Sequence, residues 1–170
     1  MSNKFTTLIR QNQDSIIRAW VDEMYAERRT ELTTLLSYEQ LVDYLPDTLE
    51  ELSRLLDCAA SESEIQEATR RLRSHPQVRF HQGALMDEVA RELMVLRKVF
   101  QNFLWREGSN ATQGDLWELR DAQRRADCFV DELIAQVLII YAASFRPSVE
   151  TRTSVWPPPL RRRRTDFPMS

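Results

Sequence analysis

The stretch SHPQVRFHQGALMDEVARELMVLRKVFQNFLW, Ser74 to Trp105, decides the fold of this chain. Val78, Leu85, Met86, Val89, Leu93, Leu96, Val99, Phe100 and Phe103 recur at the three- and four-residue intervals of one helix face. Pro76 suits the first helical position, where its missing N–H costs nothing, so the pattern predicts one long helix from the His-Pro start onward. Gly83 lies inside it, and an interior glycine costs about 1 kcal/mol against alanine. It therefore marks a close helix contact or an inherited signature.

The same periodicity continues on both sides. A first helix is expected from about Asn3 to Arg28, with Leu8, Ile9, Ile16, Ala19, Trp20 and Met24 inward. Ser37 caps a second segment carrying Leu41, Val42, Leu45, Leu49, Leu52, Leu55 and Leu56, in which Pro46 predicts a kink or a restart. Ser61 and Glu64 have the spacing of a capping box and open a short helix to about Arg73. A loop from Glu107 to Gly114 separates the long helix from a last one, about Asp115 to Ser144. The second half of that last helix is apolar almost all round, which predicts burial on more than one side. A small domain cannot easily surround such a rod, so a second copy is the expected cover.

Composition agrees with an all-α protein. The chain has 170 residues, 3 glycines and no Val/Ile/Thr run alternating with polar residues. Cys58 and Cys128 read as buried or half-buried reduced thiols of a cytoplasmic protein, since neither belongs to a disulfide framework. No signal-peptide core is present, and the most apolar run, Leu133 to Phe145, falls short of the roughly 20 residues of a membrane span. Residues 1–146 are expected to form one helical domain, and residues 147–170 a Pro/Arg-rich tail or linker without a core-forming pattern. From Arg146 onward six arginines face two carboxylates, a net of +4, which leaves −7 on the rest. An acidic body excludes a nucleic-acid-binding fold of the usual kind, in which the structured part is basic. The Arg161–Arg164 cluster reads as a solvated patch or part of a linker.

Candidate chemistry is sparse. His75 and His81 lack the partner set of a zinc site, and no metal or cofactor is expected. As a haem ligand His81 is better placed than His75, although a lone histidine is a weak signal; His75 is more simply a helix-start residue bonded to backbone. Glu88 and Glu92 share a helix face, and paired carboxylates can do acid–base work. Ion pairs of Glu88 with Arg91 and of Glu92 with Arg97, or plain solvation, are the stronger account of them. An enzyme built on Glu88, Glu92 and Arg79 ranks last, because no nucleophile, metal set or cofactor loop accompanies them. Trp20, Trp105 and Trp117 read as core or interface anchors, and Trp156, beside prolines, as an unstructured residue or a docking motif.

The segment around Gly83 resembles the N-terminal domain of the stressosome co-antagonist RsbR family, in particular the RsbRD type. That family carries a His near a helix start, an Arg four residues on, a Gly four after that, then Arg-Glu and Leu-Arg. Here these are His75, Arg79, Gly83, Arg91–Glu92 and Leu96–Arg97. LVDYLPDTLEELSRLL, Leu41 to Leu56, is similar to the family's leucine-rich segment with a central proline, and Ile17–Trp20 adds an early match. Pro76 stands where the family usually has glycine. The resemblance implies a globin-like bundle of about five to six helices without haem, serving as a non-enzymatic sensory or protein-interaction module of stress or two-component signalling. It implies a domain that often dimerises and precedes a STAS domain or a histidine kinase core. No such region follows here, so the chain is either free-standing or a piece of a longer protein. No catalytic residues carry over. The expected dimer uses the last two long helices, with Trp117, Val130, Leu133, Ile134, Val137, Ile140 and Tyr141 at the interface. A small-molecule or haem-binding sensor is the alternative.

Overall fold

A computed structural model describes residues 3–58 and 60–144. The tail, with Trp156 and Arg161–Arg164, lies outside the described residues. Those described form helices and turns without a strand, and six of the helices have eight residues or more.

Helix α1, Lys4–Ala26, buries Phe5, Ile9, Ile16, Trp20, Val21 and Met24 on one face. The backbone N–H groups of Phe5 and Thr6 donate to the Asp57 carboxylate at 2.8 and 2.7 Å. A carboxylate from 51 and 52 residues away thus satisfies two of the orphan donors of α1 and faces the positive end of its dipole. Helices α2 (Leu32–Leu35) and α3 (Tyr38–Val42) are short, and α3 starts at the Ser37–Gln40 capping box. The restart expected at Pro46 occurs: α4 runs Leu45–Asp57 with the proline in its first turn. Helix α5, Glu62–Arg71, opens at the reciprocal Ser61–Glu64 box.

The long helix expected over Ser74–Trp105 is two helices, α6 (Ser74–His81) and α7 (Met86–Phe103). Gly83 adopts φ +81°, its N–H donates to Phe80 O, and the N–H of Ala84 donates to Arg79 O. This is a Schellman ending, which requires a left-handed residue just past the helix. A Cβ placed on Gly83 would meet nothing within 4 Å, so the close-contact reading is corrected: the glycine is there for its φ. Pro76 is the third residue of α6 rather than the first, still within the turn that lacks intrahelical N–H partners. The expected loop from Glu107 is also corrected, since a π-helical turn, Leu104–Gly108, and α8, Ser109–Ala111, carry the helical path onward. Gly108 supplies the close contact that Gly83 does not: a Cβ there would sit 2.8 Å from Leu119, a buried side chain.

Helix α9, Leu116–Ser144, begins where Asp115 accepts from the N–H groups of Trp117 and Glu118. It packs along α7 and also touches α4, α5 and α6, while α1 packs on α4 and α7. One stripe of α9 enters the core: Leu119, Ala122, Ala126, Phe129, Val130, Leu133, Val137 and Tyr141. Among the described residues nothing buries it on several sides, for Leu138 is 47% and Ile139 68% exposed. Cys58 is half-buried and Cys128 exposed, which corrects the expectation for Cys128. No helix among the described residues is long and apolar enough to cross a membrane.

Candidate functional site

Three residues of the quoted stretch converge although a turn separates them. Arg79 projects from α6 and Glu92 from α7, and they are 2% and 0% exposed. The guanidinium forks onto the carboxylate, with Nε to Oε1 at 2.9 Å and Nη2 to Oε2 at 3.1 Å. Its other three N–H groups donate at 2.9 Å to Gln40 O, Leu41 O and the Gln82 side chain. All five donors of a guanidinium are therefore matched. The two carbonyls belong to α3, a helix of five residues whose last C=O groups have no partner of their own. Arg79 thus fastens α3 and α7 to α6.

His75 completes the cluster. Its Nε2 lies 2.9 Å from Glu92 Oε1, in an orientation that makes an ion-pair contact rather than a well-directed hydrogen bond. The imidazole stacks on Tyr44 with centroids 3.7 Å apart, and Trp20 meets Tyr44 edge-on at 6.0 Å. Trp20 Nε1 donates to the backbone oxygen of Glu92 at 3.1 Å, which brings α1 into the same arrangement. The Tyr44 hydroxyl is buried and has no hydrogen-bond partner among the described residues.

Burial on its own would raise the Glu92 carboxyl. The electrostatic pull of His75 and Arg79, with the Arg79 hydrogen bonds, outweighs it and holds Glu92 below the ordinary carboxylate range. Burial, reinforced by the Glu92 charge, pushes the Tyr44 phenol well above its usual 10. The cluster is thus a buried carboxylate kept ionised beside a phenol kept neutral. Removing one member of such a buried pair costs about 3–5 kcal/mol. A cleft of about 170 Å³ between α3, α4 and α6 reaches Tyr44, His75 and Arg79, with Asp43 and Asp47 at its rim.

The expected pairings of Glu88 and Glu92 are corrected. Arg91 pairs with Asp87 and Arg97 with Asp131. Glu88 is buried and accepts from the backbone N–H groups of Glu31 and Leu85 at 2.9 and 2.8 Å, which ties the start of α2 to the start of α7. Leu96 is a core residue. Of the family-like motif, then, only His75, Arg79 and Glu92 meet. His75 contacts a carboxylate instead of backbone, so its Nε2 is already engaged, while His81 is exposed beside Phe80 at the end of α6. Among the described residues no three His, Cys, Asp or Glu side chains are placed to hold a metal. Tyr44, Trp20, Gln40 and Gln82 were not expected here; nothing in their spacing to Glu92 marks them, because the contacts cross four helices.

Of the residues expected at an interface, Val130, Leu133, Val137 and Tyr141 serve the chain's own core, and the Tyr141 hydroxyl donates to Ala84 O at 2.8 Å. Ile134 and Ile140 are half-buried and Trp117 is exposed. Trp105 is exposed too, so among the helical tryptophans only Trp20 is a core anchor.

No curated protein and no solved structure matches the chain. A family model does, over residues 14–152, a span that holds the whole His75–Arg79–Glu92 cluster and every helix it fastens, and the chain accordingly belongs to the RsbT co-antagonist protein rsbRD N-terminal domain family.

Proposed function

We propose that the chain is a non-enzymatic sensory and protein-interaction domain of cytoplasmic stress signalling, acting as a dimer and working on a STAS or histidine kinase region. The observation that carries this reading is the use made of the motif: Arg79 and Glu92 spend their polar atoms on each other and on three helices, with His75 packed against the Glu92 carboxylate. Groups so occupied fix a geometry and leave little for a substrate, as expected of a domain that transmits a change in helix packing.

The dimer reading draws on the apolar surface left over. Arg97–Asp131 and Gln101–Asp127 pair α7 and α9 in antiparallel register. Met94 and Leu138 continue the same outer stripes and are both about half exposed. Fully burying a side chain of this size contributes roughly 1.5–3 kcal/mol, which a second copy packed on the α7–α9 face would recover. Light scattering across a concentration series tests this. The expected result is a dimer that Leu138→Lys converts to a folded monomer; a wild-type chain that stays monomeric at high micromolar concentration overturns it.

A further inference from the structure

The cleft between α3, α4 and α6 holds groups that the buried triad does not use. Two arginines line it, and each is already matched by a carboxylate from outside its lining. Arg71 donates through Nε and Nη2 to Glu51 at 3.0 and 2.9 Å, and Arg79 is engaged by Glu92 and its other acceptors. Asp43, just past α3, and Asp47, in the first turn of α4, line the same cleft. Both are exposed, and neither has an ion pair with a described residue. The unpaired charge of the cleft is therefore negative and sits at its rim.

Further in, Tyr44, Leu72 and His75 are shared with a second, apolar pocket of about 10 Å³, room for no more than about one water. The Tyr44 hydroxyl is buried and has no hydrogen-bond partner among the described residues. Native proteins leave few such groups, and each calls for an explanation. Because burial keeps the phenol neutral, it has a proton to donate. Leu72 and Val78 add apolar wall.

From unpaired carboxylates at the rim and a buried, partnerless donor behind them, we infer that the cleft binds a small amino alcohol. Its ammonium is held by Asp43 and Asp47, its short carbon chain lies on Leu72 and Val78, and its oxygen accepts from Tyr44. A cleft of about 170 Å³ admits such a molecule. A partner's lysine fits less well: it would enter ammonium first, carry its charge past the carboxylates, and bring no acceptor to Tyr44. The inference rests on the sensory reading above and names the class of molecule sensed.

The test is isothermal titration calorimetry of the full chain with ω-aminopentanol, against the matched diol and ω-hydroxypentanoate. The amino alcohol should bind about ten-fold more tightly than the diol, and the hydroxy acid more weakly still. Asp43→Asn and Asp47→Asn should each weaken it about three-fold with an unchanged circular dichroism melt. Tyr44→Phe should weaken the amino alcohol about five-fold and leave pentylamine, which has no hydroxyl, unaffected. Absence of binding, equal binding of the three, preference for the hydroxy acid, or indifference to either aspartate overturns the inference. So does an equal effect of Tyr44→Phe on both amines, and so does acetyl-lysine amide binding as tightly as the amino alcohol, since the cleft would then belong to a partner's side chain. A dimer that binds no amine sinks the site and leaves the interaction reading standing, whereas a monomer that binds the amino alcohol does the reverse.

Discussion

The inner and outer sides of the C-terminal half of α9 solve opposite problems. Where α6 turns into α7, the Arg79–Glu92 ion pair is buried beside His75 and every donor of Arg79 has an acceptor. Along the C-terminal half of α9, the aliphatic side chains of Leu138 and Ile139 are exposed, with nothing among the described residues to cover them. The first region is polar and closed, the second apolar and open. The contrast sorts the expected costs: breaking the interior Arg79–Glu92 pair should cost stability, whereas changing the outer face should cost association.

The largest effect expected from breaking that contrast is at Glu92. Glu92→Gln leaves Arg79 buried without its counter-charge and should lower unfolding free energy by about 3–5 kcal/mol in urea denaturation. Replacing the pair together, Arg79→Met with Glu92→Leu, should recover much of that loss, because well-packed apolar residues often substitute for a buried pair. A double variant no better than Glu92→Gln would mean that Arg79 matters mainly through the α3 carbonyls.

The two structural glycines come next. Alanine at Gly83 must adopt a left-handed conformation, at about 1–2 kcal/mol, and alanine at Gly108 must displace buried Leu119, at about 1–3 kcal/mol. Asparagine tells them apart, since it tolerates the left-handed region. Thermal melts should find Gly83→Asn milder than Gly83→Ala, and Gly108→Asn worse than Gly108→Ala.

Tyr44→Phe removes a buried hydroxyl that has no partner among the described residues and should raise stability by about 1 kcal/mol. The pH dependence follows from the same cluster. Because Glu92 is depressed in the fold, its contribution is complete above roughly pH 5 and is lost as pH falls through the lowered folded value. Because Tyr44 is raised, its neutral form contributes fully below the usual 10 and that contribution fades as pH climbs through the folded value. Urea titrations from acid to alkaline pH should show a plateau bounded by these limbs, with the alkaline limb flattened in Tyr44→Phe. The smallest effect is at the open face: Leu138→Lys should change monomer stability by no more than about 0.5 kcal/mol while its light-scattering mass drops from dimer to monomer.

What the sequence made legible was local. Ser37, Pro46 and the Ser61–Glu64 pair each announce a helix start within a few residues, and each start is where it was expected. Gly83 was misplaced because the apolar period runs through it unbroken, and only its φ reveals that a helix ends there. The triad was visible as a motif, but not as a contact: Arg79 and Glu92 are 13 residues apart and face each other only because the Gly83 turn folds α6 back on α7. Tyr44, Trp20 and the α3 carbonyls were beyond reach, since their roles exist only once four helices have met. The α9 periphery was read as more buried than it is, because apolar character records the wish for a cover and not its source.

The carboxylate of Asp57 bears on how this chain assembles. Without Asp57, which closes α4, the first turn of α1 lacks its cap. During synthesis, therefore, α1 stays frayed at its leading edge until more than fifty further residues have followed it. Helix α1 is thus made before α4 but is capped only once α4 is complete.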